Sequence, residues 1–72
     1  MINSTSLYLK ENLRRIRLEK GFTQSKLSEL AGISCDYLSE IERGKKSPSL
    51  NCLHDIAIAL NIDTYVLLMP NN

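Results

Sequence analysis

Arg43, Lys45 and Lys46 place three cations in a run of four residues, RGKK. The bland reading of such a run is a solvated surface patch, which composition alone does not exclude. A second basic block lies in residues 1–20, where five basic side chains face two acidic ones, net +3. Residues 21–42 reverse this, with one basic and four acidic, net −3. The overall charge of +1 therefore hides two separate basic blocks. Catalytic chemistry has less to work with. His54 is the sole histidine, and Asp55 is its neighbour in sequence rather than a helical turn away. No Ser/His/Asp set, metal-ligand cluster or phosphate loop is discernible, so the chain reads as a non-enzyme with no metal, cofactor or small-molecule ligand. Cys35 and Cys52 fit neither a disulfide framework nor a four-ligand zinc site, and suggest a reducing cytoplasm.

The elements that must position these groups are helical, because only helical periodicity recurs. Leu9, Leu13 and Ile16 share one face of a first helix, about 6–20, which Gly21 ends. Thr23, Ser34, Ser49 and Asp63 stand as caps of four further helices, about 24–31, 35–42, 50–60 and 64–69. Three of them lie inside a hydrophobic staple, Phe22 with Leu27, Ile33 with Leu38 and Ile62 with Leu67. The expected architecture is all-α, one domain of five helices over residues 1–72. The expected core is Leu13, Ile16, Phe22, Leu27, Leu30, Ala31, Ile33, Leu38, Ile41, Leu50, Leu53, Ile56, Ala57, Leu60, Ile62 and Leu67. No apolar run approaches the ~20 residues that span a bilayer. No charged-then-apolar leader opens the chain, so a cytoplasmic location is expected, with no membrane partner.

The second and third helices are short, with Ala31 and Gly32 between them, which describes a helix-turn-helix. Such a break sets its second helix at a steep angle, able to project into a major groove. On "LRRIRLEKGFTQSKLSELAGIS", "YLSEIERGKKSPSL" and "IAIALNI" the chain resembles the Cro-type (Xre-like) helix-turn-helix regulators related to phage repressors. The resemblance spans nearly the whole chain and implies a lambda-repressor-like DNA-binding fold. It further implies a sequence-specific regulator of double-stranded DNA, a repressor or small controller of neighbouring genes, of bacterial or phage type.

Site roles follow from matched positions. Thr23, Gln24, Tyr37, Arg43, Lys45 and Lys46 resemble phosphate contacts, and the free N–H groups where the second helix starts also favour an anion. Arg17 and Glu42 match an ion pair that orients the recognition helix, a structural role rather than a DNA contact. Ser34, Cys35, Asp36, Ser39 and Glu40 fall on the base-reading face. That face departs from a favourable pattern, because it has no Arg, Lys, Asn or Gln for bidentate base contacts. Glu40 or Asp36 can accept from a cytosine amino group, although Asp36 serves equally as a carboxylate on the helix dipole. Arg14 and Arg15 are expected in solvent. Cys35, without a resolving cysteine nearby, reads as a small groove-facing residue rather than a redox switch.

Near the C-terminus the chain has more apolar side chains than a core accepts. Ile58, Tyr65, Val66, Leu68 and Met69 remain after the inward positions are filled, and mark a homodimer interface. A two-fold dimer requires a roughly palindromic operator. The competing reading is a protein-interaction module on the same fold, of antitoxin or anti-repressor type, which the acidic third helix favours.

Overall fold

The computed structural model describes residues 4–70, with side chains from Leu7 onward. Four α-helices occur, α1 (Ser4–Glu19), α2 (Gln24–Ala31), α3 (Cys35–Glu42) and α4 (Leu50–Leu60), followed by a 3-10 helix, Thr64–Leu68. No strand is present among the described residues.

The starts of α2, α3 and α4 are chemical. The hydroxyls of Thr23, Ser34 and Ser49 accept from the backbone N–H groups of Lys26, Tyr37 and Cys52 at 3.0, 3.0 and 3.1 Å. Their ends share one device. After α1, α2, α3 and α4, a left-handed residue (Gly21, Gly32, Gly44 or Asn61) carries paired backbone bonds back into the last turn. In α2, Gly32 N donates to Glu29 O and Ile33 N to Ser28 O, the two bonds of a Schellman stop. Gly32 sits at φ +74°, which an L side chain rarely adopts.

Buried apolar side chains from all five elements form one cluster. Leu13, Leu27, Leu38, Ile56 and Leu67 are wholly inside it, and Phe22, Ile33 and Ile62 pack against its edge. Each staple therefore has one half-buried and one fully buried partner, which fixes how the chain enters the helix.

Three expectations need correction. Leu30 is 48% exposed, because the inward stripe of α2 runs through Leu27, Ser28 and Ala31. Leu50 is 76% exposed, and the buried stripe of α4 begins one turn later at Leu53. The fifth helix is a 3-10 helix with no side-chain cap from Asp63. Its five residues make i→i+3 bonds such as Val66 N to Asp63 O at 3.1 Å, a geometry confined to short pieces.

The polar side chain Asn12 explains how that segment is held. It lies on the same stripe of α1 as Leu9, Leu13 and Ile16 and is 1% exposed. Its Nδ2 donates to the carbonyls of Leu67 at 3.1 Å and Met69 at 2.6 Å, and Val66 O lies at 3.4 Å. One carboxamide thus satisfies the carbonyls that a short helix leaves open at its end.

Candidate nucleic-acid interface

Gly32 breaks α2 from α3, and Ala31, 7% exposed, is the small residue at the break. The third helix is anchored at its far end. Arg17 Nε donates to Glu42 Oε2 at 2.7 Å and Arg17 Nη2 to Glu42 Oε1 at 3.1 Å, a bidentate pair. Arg17 Nη1 donates to Phe22 O at 2.8 Å, and Gln24 Nε2 donates to Glu42 Oε1 at 3.1 Å. One carboxylate therefore ties the end of α3 to the end of α1 and the start of α2.

With its last turn fixed, α3 turns Leu38 and Ile41 inward and leaves its first two residues, Cys35 and Asp36, outside. Ser34, Cys35 and Asp36 are exposed, while Tyr37, Ser39 and Glu40 are half-buried. Ser34 spends its hydroxyl on the cap, and Tyr37 packs against the core. Glu40 is not a free acid, since Lys46 Nζ lies 3.5 Å from its Oε1. The same ammonium stands 6.0 Å from the Tyr37 ring centroid, within cation–π range.

Arg43 and Lys45 are exposed in the loop after α3, and among the described residues neither has a carboxylate partner. Gln24 is half-buried, and the second proton of its amide stays available after the bond to Glu42. Thr23 is exposed with its hydroxyl accepting from Lys26 N. Of the phosphate candidates, Thr23 and Gln24 lie at the start of the helix-turn-helix, Arg43, Lys45 and Lys46 follow its end, and Tyr37 lies on α3 itself, among the base-reading candidates Ser34 to Glu40.

Other candidates lie elsewhere. Arg14 is exposed, but Arg15 is only partly so, since it donates to Asn12 Oδ1 at 3.2 Å and pairs with Glu19 at 3.4 Å. His54 is exposed, with Nδ1 3.3 Å from Thr64 Oγ1. Burial pushes the Cys52 thiol above its ordinary value, opposed by a hydrogen bond with Tyr37 and aided by Asp55. Among the described residues no group of three or more His, Cys, Asp or Glu side chains is arranged to hold a metal, and no helix is long and apolar enough to cross a membrane.

The C-terminal apolar residues divide. Ile58, Tyr65 and Met69 are 62%, 60% and 46% exposed, whereas Val66 and Leu68 are half-buried and pack on the core. Ile58 and Val66 share a shallow groove with Asn61, Ile62 and Asp63; Tyr65, Leu68 and Met69 do not line it. Sequence reasoning missed Asn12, although its place among Leu9, Leu13 and Ile16 signalled a polar group inside.

The chain matches the family described as Helix-turn-helix over residues 13–67. It is 38% identical over 61 residues to an uncharacterized HTH-type transcriptional regulator, y4dJ, of Sinorhizobium fredii, covering 85% of this chain and 79% of that protein. To the transcriptional regulator ClgR of Mycobacterium tuberculosis it is 44% identical over 57 residues, 79% of this chain and 51% of ClgR. It thus spans about half the length of that relative. Among solved structures it is similar to the restriction-modification controller protein C.AhdI from Aeromonas hydrophila. The TM-score is 0.85 at 31% identity, over 90% of this chain and 98% of that one. The chain belongs to the helix-turn-helix family, as a DNA-binding transcriptional regulator of its Cro- and Xre-like branch.

Proposed function

We propose that the chain acts as one sequence-specific DNA-binding domain over residues 1–72, inserting α3 into the major groove. Ser34, Cys35, Asp36, Ser39 and Glu40 face the bases, while Thr23, Gln24, Tyr37, Arg43, Lys45 and Lys46 hold the flanking phosphates. The observation that carries this reading is the exposed start of α3 at Cys35 and Asp36, braced at the helix's other end by the buried Arg17–Glu42 pair and followed by Arg43 and Lys45, which among the described residues have no acidic partner. Phosphates supply the affinity and register, and base edges the discrimination. The protein works in the cytoplasm as a repressor or small controller of neighbouring genes. Similarity to a restriction-modification controller supports the latter role.

The functional unit is a homodimer on a roughly palindromic operator. The exposed side chains of Ile58, Tyr65 and Met69, with Val66 and Leu68 beneath, support a self-association face at the C-terminal end.

A second reading, a protein-interaction module, draws on Asp36 and Glu40, two acids on a face that must approach phosphates. A salt titration of duplex affinity separates the two. Counterion release makes DNA binding fall steeply with salt, and the proposed contacts require a steep slope. A weak, salt-insensitive interaction with duplexes of any sequence would favour the protein partner instead.

A further inference from the structure

The loop after α3 has a neighbour from the first helix. The stem of Lys10 lies across Gly44: its Cδ is 3.0 Å, and its Nζ 3.6 Å, from where a Cβ on residue 44 would sit. Gly44 is at φ +77°, and a Cβ there would stand in tight contact with the Lys10 stem. Lys10 is half-buried, yet among the described residues its ammonium has no carboxylate partner. By contrast Arg15, Arg17, Lys26 and Lys46 are each paired with a glutamate. A cation packed beside the backbone between Arg43 and Lys45, with no anion of its own, adds positive charge where the loop already concentrates it.

We infer that Lys10 is a further phosphate-binding residue, extending the DNA-binding surface from the loop of Arg43, Lys45 and Lys46 onto α1. The inference rests on the docking proposed above. The aliphatic stem is already seated, so less rotamer freedom is lost when its ammonium meets a phosphate than for a free surface lysine. Because it recognises charge and not bases, Lys10 raises affinity for every duplex alike. Gly44 contributes indirectly, since any Cβ there would move the Lys10 stem.

The test measures affinity for a random-sequence duplex across a salt series, with thermal unfolding as the check on folding. Two uncharged variants, Lys10→Met and Lys10→Gln, are compared with Lys10→Arg and with Lys45→Ala. Loss of one phosphate contact predicts a fivefold to tenfold weakening at about 0.1 M salt and a slope shallower by about one in both uncharged variants. Lys10→Arg keeps the parental affinity and slope. Parental behaviour in both uncharged variants, with a loss in Lys45→Ala, overturns the role of Lys10 and leaves the loop docking standing. Parental behaviour in Lys45→Ala as well overturns both. An equal loss in Lys10→Arg also overturns it, because charge would not be the property that mattered.

Discussion

Arg17 and Glu42, 25 residues apart in the chain, meet with Nε and Oε2 2.7 Å apart and side chains 8% and 3% exposed. A buried pair of this kind gains from Coulomb attraction roughly what it loses by desolvation, so its presence is weak evidence of added stability. Its geometric effect is clearer. The pair reaches Phe22 O and Gln24 Nε2 as well, so one carboxylate and one guanidinium join the end of the third helix to its scaffold.

Breaking that pair from either side strands a buried charge. Arg17→Met or Glu42→Gln is expected to cost about 3 kcal/mol each, and the double variant much less than the sum. Thermal unfolding of the three variants measures the coupling, and strictly additive losses would contradict it.

Asn12 carries the C-terminal segment. Replacing it with alanine removes a donor from the buried Leu67 carbonyl and the part-buried Met69 carbonyl, at about 1–3 kcal/mol. Amide exchange should then rise across Thr64–Leu68 before it rises in α2 or α3. Unchanged protection in that segment would show that core packing alone holds it.

The Lys45→Ala, Lys46→Ala variant should bind all sequences more weakly, with a salt slope lower by up to ~2. Lys46 also sits beside Glu40, so its loss leaves that acid without its partner on α3. An exposed pair contributes little to folding, and the unfolding temperature should hardly move. Full parental affinity and slope would contradict the docking.

Much of this arrangement was legible beforehand, for reasons tied to particular residues. Thr23, Ser34 and Ser49 announce helix starts because a hydroxyl there takes an N–H that no carbonyl can reach. Gly21, Gly32 and Gly44 announce stops because all three take positive φ. Leu30 and Leu50 were harder: both suit an inward face by type, and only the packing of α2 and α4 shows that Ser28 and Leu53 take those places. The carbonyls at the end of Thr64–Leu68 meet Asn12, more than fifty positions away, and local propensity contains no trace of that contact. Lys10 beside Gly44 is likewise a tertiary fact. The operator is least legible, since serine, cysteine and acidic side chains on α3 lack the bidentate geometries that link residue to base.

The C-terminal face gives a sharper dimer test than apolar count alone. Ile58 and Tyr65 are its most exposed positions, so Ile58→Glu with Tyr65→Ser should abolish dimers while the monomer stays folded. Val66→Glu is a poorer probe, since Val66 also packs on the core and its change should lower the unfolding temperature. Sedimentation equilibrium at micromolar concentration decides. A parent that stays monomeric when concentrated and bound to DNA would end the dimer, as would a dimer that survives both exposed changes.

The account's central claim is that α3 reads base sequence, and a binding selection from a random duplex library tests it most directly. The parent should enrich a roughly palindromic motif, with half-sites about one helical turn, ~34 Å, apart. Glu40→Ala, run alongside, should relax or change the preference at its base pair while the spacing holds. No enriched motif from the parent, or the parental motif returned unchanged by Glu40→Ala and by Ser39→Ala, would contradict the claim.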